Sequence, residues 1–346
     1  MTHYLSVKEI LPIIQEELSE YVGYNFLTTV DLDTIQLRHM PWSTLYFFHD
    51  YGLVIKIVHF PDQTTPNTSW ESDELLKRGK REYNAMTTLH HTFMGTHFAT
   101  IEPIAYIKQI NALVMRYVDG VSLYDQYIYG IRWLRQQPAL LNVAQQAGEW
   151  LARFHEISQQ QDLRSQYPPY QEHTALNTVK TIKQFIETLK VQYDVTLTMP
   201  PLTAIPDEHP VVWVHGDFHM RNVLILKTEQ ILGFDTAFEL TDSPAYDIGK
   251  FLADMKTRKQ RLLSGGVLPP IKRIKQWEAA FLAGYNKTGS SSASMQLIWL
   301  YEGRFLLQKW CETLEILSKK KGASVWIPVV NQTFRQLYHQ WVLDTL

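Results

Sequence analysis

The segment Val214 His215 Gly216 Asp217 Phe218 His219 Met220 Arg221 Asn222 Val223 Leu224 Ile225 is followed closely by Ile231 Leu232 Gly233 Phe234 Asp235. These two apolar, strand-like runs carry a carboxylate at Asp217, an amide five residues on at Asn222, and a second carboxylate 18 residues on at Asp235. The set suits phosphoryl transfer. A departing γ-phosphoryl group spreads negative charge over its oxygens and is neutralised mainly by Mg²⁺ and by positioning, so the protein must offer hard oxygen ligands and one acceptor for the hydroxyl proton. Asp217 is the candidate catalytic acceptor. Asn222 offers a neutral carbonyl oxygen to a metal ion, and Asp235 an anionic one.

Two further elements must position such a site. Gly52 to Phe60 is a strand run rich in β-branched residues, in which Lys56 shares a face with Val54 and Val58. Ser72 to His90 reads as a helix with Leu75, Glu82, Met86 and Leu89 on one stripe. A lysine leaving an apolar surface and a carboxylate on an apolar stripe are each costly unless paired. A Lys56–Glu82 ion pair satisfies both and aims the ammonium at nucleotide phosphates.

The catalytic segment resembles the loop of the aminoglycoside phosphotransferase and choline kinase family, small-molecule relatives of the protein kinases whose pattern is His-Gly-Asp-x-x-x-x-Asn. The resemblance spans roughly residues 25 to 255, with Lys56, Glu82, a hinge, Asp217 with Asn222, and Asp235 in the family's order. It implies an α+β, bilobal protein-kinase-like fold: a small antiparallel-sheet N-lobe with one helix over residues 1–114, a hinge at 115–120, and a mostly helical C-lobe over 121–346. Ala112 to Gly120 resembles the kinase hinge, whose backbone near Arg116 and Val118 would hydrogen-bond the adenine edge of ATP. The resemblance also implies that His215 braces the catalytic loop and that Asp247, in Ser243 Pro244 Ala245 Tyr246 Asp247 Ile248 Gly249, orders it.

The chain departs from protein kinases in ways that matter. Asp235 is followed by Thr236 and Ala237 without the glycine of the protein-kinase metal motif, and Gly216 stands where those enzymes have the arginine of His-Arg-Asp. A switch built on that arginine is therefore not expected, which favours a constitutively assembled small-molecule kinase. The phosphate-covering segment Met40 Pro41 Trp42 Ser43 Thr44, between strand runs 34–39 and 45–49, contains no glycine. Its expected contribution is the Ser43 hydroxyl together with backbone amides.

A chain of 346 residues, 45% hydrophobic, is long enough to bury more than one core. No apolar run reaches the length of a membrane span. The single cysteine, Cys311, excludes an internal disulfide framework, and the acidic Met1 to Glu20 segment lacks signal-peptide order, so a cytoplasmic location is expected. A net charge of −2 gives no reason to expect nucleic-acid binding. The partner expected is a small-molecule hydroxyl acceptor such as a sugar, amino alcohol, aminoglycoside-like or glycolipid compound. Its identity, ATP against GTP, and the oligomeric state stay open.

An amphipathic helix is expected near Val7 to Tyr21, and others near Ser122 to Leu134, Ala139 to Ile157, Ala175 to Gln192, Tyr246 to Arg261, Ile271 to Tyr285, Ser294 to Ser318 and Val325 to Asp344. Ser158 to His173 reads as a surface loop and Pro200 to Pro210 as a connection. Trp299, Tyr301, Glu302 and Trp310 read as core packing in preference to an aromatic cage for a quaternary ammonium, because Tyr301 is two positions from Trp299. The basic stretch Lys256, Arg258, Lys259, Arg261, Lys272, Arg273 and Lys275 reads as a solvated face; lining a cleft, it would favour an anionic or neutral acceptor. Three rival functions remain. The glycine-free phosphate segment would suit a nucleotide-binding pseudokinase, His215, Asp217 and His219 could ligate a transition metal in a hydrolase, and a kinase acting on polypeptides is the third.

Overall fold

The computed structural model describes residues 6–22, 31–59, 73–128, 137–159, 171–172, 175–200, 210–267, 270–287 and 293–344. The expected loop Ser158 to His173 and connection Pro200 to Pro210 fall mainly outside these residues, as does the end of the helix expected over Ser122 to Leu134. The chain divides into two compact units, Met1–Gly120 with Leu226–Ala237, and Val121–Ile225 with Phe238–Leu346. Leu226–Ala237, inside the segment expected for the C-terminal lobe, thus groups with the first unit and takes Asp235 with it.

The first unit opens with helix α1 (Val7–Val22) and continues through strands β1 (Gln36–Met40), β2 (Ser43–Phe48) and β3 (Leu53–Val58), helix α2 (Asp73–Phe93), and strands β4 (Pro103–Ile107) and β5 (Ala112–Arg116). The five strands form one antiparallel sheet in the order β1-β2-β3-β5-β4. Period-two alternation on β3 divides its side chains between two cores. Leu53, Ile55 and Ile57 join Ile10, Ile14 and Leu18 of α1. Val54 and Val58 join Leu75 of α2 and Leu113 and Met115 of β5, so Lys56, between the two valines, faces the α2 side.

Asn111, at the β4–β5 turn, fixes α2 against this sheet. Its backbone is left-handed at φ 48°. Its buried amide donates to the carbonyls of Val58 at 3.2 Å and Leu75 at 3.0 Å, and accepts from the Tyr106 hydroxyl at 2.8 Å. Gly79 lets the helix come this near, since a Cβ there would overlap Asn111 Oδ1. Glu82 lies one turn further along the same helix.

Beyond β5 the chain runs through β6 (Gly120–Ser122), α3 (Leu123–Ile128), α4 (Gln137–Ser158), β7 (Gln171–Glu172), α5 (Ala175–Tyr193), β8 (Val212–Val214), β9 (Val223–Leu226), β10 (Ile231–Gly233) and β11 (Leu240–Asp242). Five helices follow: α6 (Ala245–Lys256), α7 (Lys259–Leu263), α8 (Ile271–Asn286), α9 (Met295–Ser318) and α10 (Ala323–Asp344). In the second unit β11 pairs antiparallel with β8 and parallel with β7. The single helix expected over Tyr246 to Arg261 is broken into α6 and α7. Where α6 ends, the Thr257 hydroxyl donates to the Ala253 carbonyl at 2.8 Å, sharing that acceptor with the helical N–H bond of the same residue at 3.0 Å, a back-bond that weakens the helix. The core of this unit is aromatic: Trp150 stacks on Phe218 at 5.8 Å and Phe251 on Phe281 at 4.3 Å. No described helix is long and apolar enough to cross a membrane.

The Gly79 contact yields a stability test. In an open helix, Gly→Ala is stabilising by about 1 kcal/mol. Gly79→Ala is expected instead to destabilise by about 1–3 kcal/mol, as overpacked sites do, measured by denaturant unfolding. An unchanged or raised midpoint would contradict the close seating of α2.

Candidate active site

In the first unit Lys56 is shared by two carboxylates. Its Nζ lies 2.6 Å from Glu82 Oε1 and 2.5 Å from Asp235 Oδ1. Lys56 and Glu82 are largely buried, whereas the Asp235 side chain is 42% exposed. Burial alone would lower the Lys56 pKa, but the charges of Asp235 and Glu82 outweigh it and hold the ammonium above its ordinary value. Burial raises Glu82, partly offset by Lys56. Asp235 adopts a left-handed backbone at φ 70°, uncommon for a non-glycine residue and concentrated at functional turns. The buried Arg81, next to Glu82, donates from Nε to the Ala237 carbonyl at 3.0 Å and anchors the Asp235 segment to α2.

The phosphate-covering segment is tighter than its sequence suggests. Pro41 and Trp42 alone form the turn, because Met40 already pairs with Ser43 in the β1–β2 ladder. Ser43 is therefore a buried strand residue and not a loop residue. The Arg78 guanidinium lies over the Trp42 ring, 4.7 Å from its centre, and ties α2 to the turn. At the expected hinge, the Arg116 N–H donates to the Glu102 carbonyl at 2.9 Å and is committed within the sheet. Val118 lies just beyond β5 and is half-buried.

In the second unit Asp217 leads a loop between β8 and β9, anchored by Phe218, which is fully buried among Trp150, Phe251 and Phe281. The loop is ordered from behind by Asp247, whose buried carboxylate accepts the N–H of His215 at 2.6 Å and of Gly216 at 3.0 Å. His155 bridges that carboxylate, at 3.0 Å, to the Tyr285 hydroxyl, at 2.8 Å. Asn222 turns its amide nitrogen onto Asp217, 3.0 Å from the carbonyl and 3.2 Å from Oδ2, which leaves its amide oxygen facing away from these two bonds. His215 packs its ring among Trp150, Phe154 and Phe218.

Two further groups touch Asp217: Lys250, which the sequence pattern does not single out, and His219, which the sequence offered only as a metal ligand. Lys250 Nζ lies 2.7 Å from Asp217 Oδ1 and donates to the Gly216 carbonyl at 2.8 Å. His219 Nδ1 accepts the N–H groups of Arg221 at 3.2 Å and Asn222 at 3.3 Å, so the ring proton is on Nε2, 3.4 Å from Asp217 Oδ2. Burial pushes the Asp217 carboxyl up, but the His219 hydrogen bond and the Lys250 charge together hold it well below the usual carboxylate range. His155 and Lys250 are legible only in three dimensions: one ends the apolar stripe of α4, the other follows Asp247 on α6.

Other clusters resolve differently. Tyr301 and Trp310 are buried in the core, and Glu302 pairs with Lys256 at 2.5 Å. The basic stretch is not a uniformly solvated face, since Lys256, Arg258 and Arg261 are buried, Lys256 between Glu302 and Glu278 and Arg258 against Asp254. The His215, Asp217, His219 string does not converge on a metal, because His219 spends Nδ1 on backbone. Among the described residues, no group of three or more His, Cys, Asp or Glu side chains could hold a metal ion.

A small antiparallel sheet with a lysine gripped by a helix glutamate, and a helical unit carrying an ordered Asp-x-x-x-x-Asn loop, define a protein-kinase-like phosphotransferase. The profile of the phosphotransferase enzyme family matches residues 68–290, and the chain belongs to that family. No curated protein matches it. Among solved structures, the chain is similar to the macrolide 2'-phosphotransferase MphH of Brachybacterium faecium, with 12% identity and a TM-score of 0.51 over 92% of this chain and 98% of that one. It is also similar to APH(2'')-IIa in a ternary complex with streptomycin and ATP, with 14% identity and a TM-score of 0.53 over 96% and 97%. An ethanolamine kinase of Plasmodium vivax is 14% identical with a TM-score of 0.50 over 100% and 93%. At such identities the likeness speaks for the fold.

Because its folded-state pKa is depressed, Asp217 stays anionic until the pH falls through that low value. Lys250→Met removes one of the groups that depress it, so the Asp217 titration should move upward toward the ordinary carboxylate value, followed by NMR of carboxyl-labelled aspartate. An unmoved titration would show that Lys250 does not hold the charge.

Proposed function

We propose that this phosphotransferase uses ATP and Mg²⁺ to phosphorylate a hydroxyl group of a small molecule. Lys56 carries the assignment. A largely buried ammonium clasped by two carboxylates is a poor stability device, since the desolvation of the charges offsets their attraction. It is a good holder for a nucleotide: the lysine is fixed by Glu82 and presented to phosphate oxygens, and Asp235 remains partly open.

Each unit offers a hard oxygen donor. Asp235 supplies a carboxylate and Asn222 an amide oxygen, both of the kind Mg²⁺ prefers. When bound, that ion neutralises charge on the phosphates during transfer. Val118 is assigned to the nucleotide through its backbone, Arg116 through its carbonyl because its N–H is taken by Glu102, and Ser43 through its position at the start of β2. His215 and Asp247 hold the loop.

Asp217 accepts a hydrogen bond from the acceptor hydroxyl and orients it for in-line attack. Its low pKa makes it a weak base, suited to receiving the proton only as the new phosphorus–oxygen bond forms. Lys250 and His219 keep it anionic and in place.

Asp217→Ala is expected to lower turnover by at least about 10²-fold, the scale of a lost positioned acid-base group. Affinity for Mg²⁺–ATP, measured by calorimetry on the same protein, should change little. Undiminished turnover would remove Asp217 from the reaction, and tight nucleotide binding by wild type without transfer to any hydroxyl compound would contradict the kinase assignment.

A further inference from the structure

Helices α6 and α9 of the second unit approach with almost no side chain between them. A Cβ on Gly249 would lie 2.6 Å from the Glu302 nitrogen and 2.7 Å from Tyr301 Cβ. The neighbours of this contact fall at helical spacing on both partners: Tyr246 and Lys250 flank Gly249 on α6, while Tyr301, Arg304 and Phe305 line α9. Tyr246 meets Phe305 edge to face at 5.0 Å. Lys250, which holds Asp217, lies 5.6 Å from the centre of the same Phe305 ring.

Arg304 shares this ring. Its guanidinium is 5.1 Å from the centre of Phe305 and 5.4 Å from that of Tyr246. Lys250, Lys256 and Arg258 each have a carboxylate partner. Arg304 has none among the described residues, and its buried Nε and Nη1 have no hydrogen-bond acceptor. The aromatic faces attract its charge but cannot accept these in-plane N–H groups. Leaving buried donors of a charged group unpaired is costly, and a guanidinium edge matches the paired oxygens of a carboxylate or phosphate.

We infer that Arg304 binds an anionic group, a carboxylate or phosphate, on the acceptor whose hydroxyl is presented to Asp217. The inference rests on the phosphotransferase reading above and narrows it to acceptors that carry a hydroxyl and an oxyanion a short span apart. The lysine on Asp217 and the arginine lie 5.6 and 5.1 Å from the centre of the same Phe305 ring, a span that a small molecule bridges. Polycationic acceptors would meet two positive charges here.

Sulfate is the probe. It is titrated against chloride at matched ionic strength, with the unfolding temperature as readout, for wild type, Arg304→Gln, Arg304→Lys and Lys56→Met. Wild type should show a saturable rise, Arg304→Gln should weaken the apparent affinity at least about tenfold, Arg304→Lys should recover part of it, and Lys56→Met should keep it. An equal response in wild type and Arg304→Gln, no saturable response in wild type, or a loss confined to Lys56→Met would each overturn the assignment. A transfer assay then compares glycerol with glycerol 3-phosphate and ethanolamine with serine. Preference for the member that carries the oxyanion in wild type, lost in Arg304→Gln, supports the inference; preference for the member without it refutes it. Binding of Mg²⁺–ATP to the same preparations reports on the phosphotransferase reading separately, because the sulfate response does not depend on it.

Discussion

The ammonium of Lys56, shared at 2.6 and 2.5 Å by Glu82 and Asp235, ties together the three pieces of chain that build the first unit's candidate site. It joins the sheet through β3, the helix α2, and the Leu226–Ala237 segment that returns from far along the sequence. Of the two carboxylates that share the ammonium, Asp235 is the more exposed. Breaking such a pair by removing one member leaves a charge unpaired and typically costs about 3–5 kcal/mol where burial is complete. Arg81 on the Ala237 carbonyl and Asn111 on the start of α2 keep the geometry from relaxing.

The second unit repeats the scheme with other residues. Asp217 is half-exposed, yet its loop is fixed by the buried Phe218 and by the Asp247 carboxylate beneath the His215 and Gly216 amides. Lys250 and His219 then set its charge. In both units a partly exposed carboxylate, Asp235 or Asp217, is held by side chains less exposed than itself. The same helix that supplies Asp247 supplies Lys250, and its close contact with α9 brings Arg304 to the neighbouring ring.

Much of this was legible in the sequence, because it depends on periodicity. Alternation along β3 placed Lys56 with Val54 and Val58, and helical spacing placed Glu82 on the stripe of Leu75 and Leu89, so that a buried pair followed from cost alone. The spacing of Asp217 and Asn222 is local and survives into the loop geometry. What escaped depends on which elements meet. Lys250 and Arg304 look like ordinary surface cations until α6 and α9 are packed through Gly249. His155 looks like the end of an apolar stripe. Lys256 and Arg258 read as part of a solvated run because their partners Glu302, Glu278 and Asp254 lie on other helices or one turn away. The turn at Pro41 and Trp42 proved shorter than its composition implied, since the ladder extends through Met40 and Ser43.

The most direct test of the central interaction is a double-mutant cycle on Mg²⁺–ATP affinity, using Lys56→Met, Glu82→Gln and the double variant. If Glu82 acts by fixing Lys56, each single change weakens binding and the double variant is little worse than the weaker single, with a coupling of about 1–3 kcal/mol. Losses that simply add would mean that the two residues act independently, and the shared ammonium would not be what organises the site.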